Sequence, residues 1–248
     1  MKGLVHVCLA SLFVAACGSD GPNFGPETTP TAAQQSGVSS TESSLVVLAA
    51  ADTQGAATAG ASFGLATSSL LLIAPNSNAR AGQDRPIAWP IDGVLDHALG
   101  NALRGALGAT GPRADDCAVV GPTSVVWSNC TEQGFTIDGT VSWGPGHVEV
   151  DVKINGAVQG FTFEYSFAGN MTVSTTAIEG DMTFSGSVTA NGATYTESVH
   201  SEIDIQVAQG CITSGTLTVT VSGSGSGSVN GAVQVVWTGC HAFKVRNA

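Results

Sequence analysis

The sequence predicts an α+β fold, with N-terminal apolar helices packed on a long, curled antiparallel β-meander that forms a half-barrel or incomplete barrel. Three observations lead there. Between about 117 and 246, apolar residues alternate with Ser, Thr, Asp and Glu at period two, run after run. Such alternation marks strands with one buried and one wet face. Turn signals separate the runs, among them Gly144-Pro145-Gly146, Asn155-Gly156 and Asn191-Gly192. Between about 45 and 108 the apolar residues instead recur at helical spacing. A sheet with one apolar face needs a cover, and those helices are the candidates.

The chain opens with Lys2 and an apolar run from Leu4 to Val14, too short to span a bilayer. Ala15, Ala16 and Cys17 follow. The stretch Val14-Ala15-Ala16-Cys17 resembles the lipobox of bacterial lipoproteins. That resemblance implies a signal peptide over 1–16, cleavage before Cys17, a diacylglycerol on the Cys17 thiol and an acyl chain such as palmitate on its amino group. Each buried methylene contributes about 0.8 kcal/mol, so several chains on one cysteine make a firm anchor. The implied compartment is the bacterial cell envelope, with the membrane as partner through the anchor. Gly18 stands where an aspartate would resemble an inner-membrane retention signal, which points to the outer membrane. Residues 17–41 then read as the lipidated cysteine and a disordered tether, rich in Pro, Gly, Ser and Thr. Extended at roughly 3 Å per residue, it would hold the rest some tens of ångströms off the bilayer. Residues 42–248 remain as a single domain.

Leu45 to Ile73 is apolar but soft, and Asp52, Gln54 and scattered Ser and Thr argue against a membrane span. It reads as one broken helix or two short ones. Gly60 and Gly64 allow close packing. Gly60-Ala61-Ser62-Phe63-Gly64 also matches the GxSxG nucleophile elbow, but the strand that must precede such an elbow is missing. Pro75 to Pro90 reads as a loop. Ile91 to Leu107 is the clearest helix: Ile91, Val94, Leu95, Ala98, Leu99, Ala102, Leu103 and Ala106 form one apolar stripe. His97 lies off that stripe and reads as solvated.

From Cys117 on, nine to eleven strands are expected. Phe135, Ile137, Val141 and Trp143 share one face, then Val148, Val150, Val152 and Ile154, then Phe161, Phe163, Tyr165 and Phe167. Tyr195, Val199, Ile203, Ile205 and Val207 oppose Thr196, Ser198, His200, Glu202, Asp204 and Gln206. Trp127, Trp143 and Trp237 read as core. Asn155 to Gln159 recurs at Asn230 to Gln234, an echo of hairpin duplication. Gly139, Gly186, Gly215 and Gly231 interrupt strands and mark bends or close approaches.

With Cys8 in the signal and Cys17 lipidated, Cys117, Cys130, Cys211 and Cys240 remain, an even number for an oxidising compartment. Three pairings are open. Cys117–Cys130 and Cys211–Cys240 are preferred because each pair brackets a hairpin. A four-cysteine zinc site lacks any CxxC spacing. The formal charge is −11, and loss of Lys2 makes it more negative. No basic run offsets it, so the chain as a whole is expected to repel nucleic acid and anionic lipid headgroups, and nucleic acid is not an expected partner. No phosphate loop or dinucleotide fingerprint occurs, and no cofactor is expected.

One constellation carries chemistry. His147-Val148-Glu149-Val150-Asp151 and His200-Ser201-Glu202-Ile203-Asp204 both spell His-x-Glu-x-Asp, and alternation puts each polar trio on the wet face. Imidazole with carboxylate suits zinc or manganese. A meander placing three strands between the two sets would keep them apart, so both read as solvated faces. The expected role is a non-enzymatic envelope lipoprotein that binds or supports, with a lipid, other hydrophobic ligand or protein as its ligand. A metal-dependent surface hydrolase and a membrane-inserted β-barrel are the alternatives.

Overall fold

The computed structural model describes residues 22–51 and 118–248, apart from 122, 133, 134, 159, 226, 227 and 229. Among the described residues, one helix, α1 (Ala32–Ala51), precedes β1 (Ala118–Val120), β2 (Ser124–Glu132), β3 (Phe135–Gly144), β4 (His147–Val158) and β5 (Phe161–Val173). Then come β6 (Ala177–Ala190), β7 (Ala193–Ala208), β8 (Cys211–Ser224), β9 (Gly231–Gly239) and β10 (Ala242–Asn247). The ten strands form one antiparallel sheet in the order β1 to β10. Every strand pairs with its sequence neighbour, and β1 does not meet β10, so the meander stays open.

The alternation sorts the faces as the residue pattern requires. Ile154, Ile178, Ile205, Leu217, Val219 and Val235 are wholly buried on one face, while Asp151, Glu179, Asp181, Glu202 and Asp204 are exposed on the other. Trp127, Trp143 and Trp237 belong to the core. Asn191-Gly192 makes the expected tight turn, with φ of 51° and 79°. Asn155-Gly156 does not. Both residues stay in the ladder, Asn155 facing Thr136 and Glu164, and Gly156 facing Phe135 and Phe163. The chain reverses after β4 at Gly160 instead, with φ +86°. A local turn preference yields where partners on both sides extend the strand.

Two glycines let adjacent strands close up. A Cβ on Gly139 would lie 2.1 Å from the Asp151 carbonyl oxygen, and one on Gly215 2.2 Å from that of Asp204. The approach is by the neighbouring strand's backbone. Gly186 differs: the Tyr165 ring lies over it, and Phe163, Tyr165, Phe184 and Phe167 continue as a row of ring contacts.

The tether expectation over 17–41 is corrected in its second half. Residues 32–41 are helical, and residues 25–28 lie along the sheet edge. Thr31 caps α1: its Oγ1 accepts from the Gln34 N–H at 3.3 Å, and Gln34 Oε1 accepts from the Thr31 N–H at 3.0 Å. This is a capping box. Gln34, Val38, Thr41, Glu42, Ser44, Leu45, Leu48 and Ala49 are buried, a stripe at three- and four-residue spacing. Val38, Leu45 and Leu48 join the core through contacts with β6 and β8. Of the helical region expected over 45–108, the described part is residues 45–51. The rest, with Ser62 and His97, lies outside the described residues, as does Cys17. No described helix is long and apolar enough to cross a membrane.

Cys211, at the start of β8, is bonded to Cys240, in the turn after β9, with Cα atoms 5.4 Å apart. Cys130 is also disulfide-bonded. Cys117, its expected partner, lies outside the described residues.

Candidate functional site

The face away from α1 carries the polar side chains, and strand register arranges them in rows. In the β6–β7 ladder Glu179 faces Asp204 and Asp181 faces Glu202. Directly opposed side chains start about 5 Å apart. Four carboxylates therefore form a two-by-two block of like charge. Thr183 and His200 make the next row. His200 Nδ1 lies 2.9 Å from Thr183 Oγ1, and its Nε2 lies 3.5 Å from Glu202 Oε1.

The two His-x-Glu-x-Asp sets do not converge. His147, Glu149 and Asp151 lie on β4, and His200, Glu202 and Asp204 on β7. Two strands separate them, β5 and β6, where three were expected. At about 4.8 Å per strand the sets stand roughly 14 Å apart. His147 faces Thr172, Glu149 faces Asn170, and Asp151 faces Ala168. Among the described residues no group of three or more His, Cys, Asp or Glu is placed to hold a metal ion. The partners that register gives Glu202 and Asp204 are the β6 acids Asp181 and Glu179. Pairing those strands in the sequence would have revealed this block.

The Thr183–His200–Glu202 chain has the order of a nucleophile, base and orienting acid. The three side chains stand on central strands whose backbone N–H groups are engaged in the β5–β6–β7–β8 ladders. Among the described residues, the hydrogen-bond donors nearest this chain are therefore the side-chain hydroxyls of the adjoining row, Ser185 and Ser198.

Beyond His200 the rows turn to hydroxyls. Ser166, Ser185, Ser198 and Ser222 succeed one another across β5 to β8, followed by Glu164, Ser187, Thr196 and Ser224. Most of these, with Asn230, line an open depression of about 530 Å³. Ser185 and Ser198 hydroxyls lie 3.3 Å apart, and those of Thr196 and Ser224 2.8 Å apart. Asn230 Oδ1 accepts from the Gly223 N–H at 2.9 Å and fixes the rim. The described lining is polar and holds no cation, so it offers hydrogen bonds and no pairing charge for an anion.

On the buried face, Tyr165 is 2% exposed. Burial, and secondarily the Glu197 carboxylate, push its hydroxyl well above the usual tyrosine range. At the β10 edge the N-terminal segment docks. The Gly25 N–H donates to the Asn247 carbonyl at 3.0 Å, and the Thr28 N–H to that of Val245 at 2.7 Å. Arg246 pairs with Glu27 at 2.9 Å. His241, in the β9–β10 turn, stands 3.1 Å from the buried Glu42 of α1.

No protein-family model, curated protein or solved structure matches the chain.

Proposed function

We propose that the protein is a lipid-anchored lipoprotein of the bacterial cell envelope, in the outer membrane, with a non-enzymatic binding or structural role. The observation that carries this reading is Val14-Ala15-Ala16-Cys17 behind Lys2 and a short apolar run. Two structural features support it. Among the described residues, the N-terminal segment first meets the sheet at Gly25, eight residues after Cys17. The outward face carries carboxylates and hydroxyls, the reverse of the apolar outer band of a transmembrane barrel. Protein surfaces that hydrogen-bond to the hydroxyl rows fit this role better than an acyl ligand, because the apolar face is occupied by packed side chains.

The test is metabolic labelling with a palmitate analogue in a bacterial host. Label on the wild-type chain, its loss in Cys17→Ser, and accumulation of an uncleaved precursor under a signal-peptidase II inhibitor are expected. A wild-type chain cleaved without label would overturn the anchor.

A further inference from the structure

Resting on that reading, we infer that the β10 edge is the side of the domain held against the bilayer, where Lys244 and Arg246 meet anionic phospholipid headgroups. Chain length is the first ground. Gly25 is fixed to Asn247 and Thr28 to Val245. From Cys17 to Gly25 eight Cα steps reach at most about 28 Å, whatever path the chain takes. A leash running to residue 41 would let the domain turn freely. One this short, leaving from the open edge of the sheet, brings that edge to the surface first.

Charge is the second ground. Lys153, Lys244 and Arg246 are the basic residues among those described, and two of them project from β10 on the outward face. Lys244 is exposed, while Arg246 also holds Glu27. In the rows of Lys244 and Arg246 the nearest outward acids are Asp204 and Glu202 on β7, three strands in. That is roughly 14 Å, beyond one Debye length at physiological salt. At the edge itself Glu27 offsets Arg246, so an anionic surface meets the charge of Lys244 there and feels little of the acidic block.

The experiment uses the full-length, lipidated protein in vesicles of phosphatidylethanolamine and phosphatidylglycerol. A fluorescent amino acid replaces Thr238 on β9 or Asp151 on β4, both exposed, and a spin label on the lipid headgroup quenches it. Quenching is expected at Thr238 and not at Asp151. It should fall in Lys244→Gln, in vesicles of neutral phosphatidylcholine, in high salt, and when a Gly-Ser stretch is inserted between Ser19 and Asp20. Equal quenching at both sites, or quenching indifferent to leash length, overturns the orientation while leaving the anchor intact. A protein mass without acyl chains overturns the anchor and the orientation with it.

Discussion

Tyr165 on β5 and the acids of β6 and β7 show how neighbouring strands treat the two faces of the sheet. Tyr165 lies under burial that favours its neutral form, and Glu197 adds to the shift. The sign follows from linkage. In the unfolded chain the phenol ionises near pH 10, whereas in the fold it keeps its proton higher. The stabilisation is complete below about pH 10 and declines above it, by about 1.4 kcal/mol per pH unit. Tyr165→Phe should lose that alkaline decline, read from urea midpoints between pH 9 and 11; an unchanged slope would show that the phenol is not responsible. On the other face, Glu179 opposite Asp204 and Asp181 opposite Glu202 place like charges in contact register. Directly opposed like charges cost a few tenths to about 1 kcal/mol. Glu179→Thr should therefore raise stability by roughly 0.5 kcal/mol at low salt, and the gain should shrink as salt screens the block. A loss of stability that ignores salt would argue against repulsion there.

Among the elements, the strands are legible, and of α1 only the part from Leu45 on; its first half reads as tether. Period-two runs such as Phe161 to Phe167 and Tyr195 to Val207 assign faces, because burial on a sheet forces alternation. The buried stripe of α1 contains Gln34, Thr41, Glu42 and Ser44, so its burial left no apolar period to find. Its one clear signal was Thr31-x-x-Gln34, a capping pattern set in a stretch whose Pro and Ser content reads as tether. Tertiary packing of Val38, Leu45 and Leu48 then overrides composition. Thr31→Ala removes the Oγ1 acceptor and should cost about 1 kcal/mol of stability, with early loss of exchange protection over residues 34–38. Equal loss throughout the sheet would mean that α1 and the strands unfold as one unit. The candidate site divides the same way. Each His-x-Glu-x-Asp trio was correctly placed on the wet face, but which trio meets which acid depends on how many strands intervene. The reversal expected at Asn155-Gly156 lies at Gly160 instead, which moves the turn without changing that count.

Taken whole, an open meander has two edges to protect, since unpaired strand edges recruit other chains. At one edge β1 has only three residues, and β2 beside it is interrupted by a bulge at Trp127–Cys130, with Asn129 at φ 52°. At the other edge, residues 25–28 lie over the C-terminal half of β10. Residues 25–28 thus complete the sheet edge, and under the proposed anchor the same residues set how far the domain stands from the membrane. A chain begun at Ser19, lacking Cys17 but keeping the segment, should be a water-soluble monomer by sedimentation. A chain begun at Thr31 bares Val245 and Asn247 and should self-associate as its concentration rises. Lys244 and Arg246 oppose that association by charge, so it should strengthen with salt and weaken when both are kept unscreened. If the shorter chain stays monomeric even in high salt, the edge strand's own shortness protects it, and the docked segment serves chiefly to position the domain.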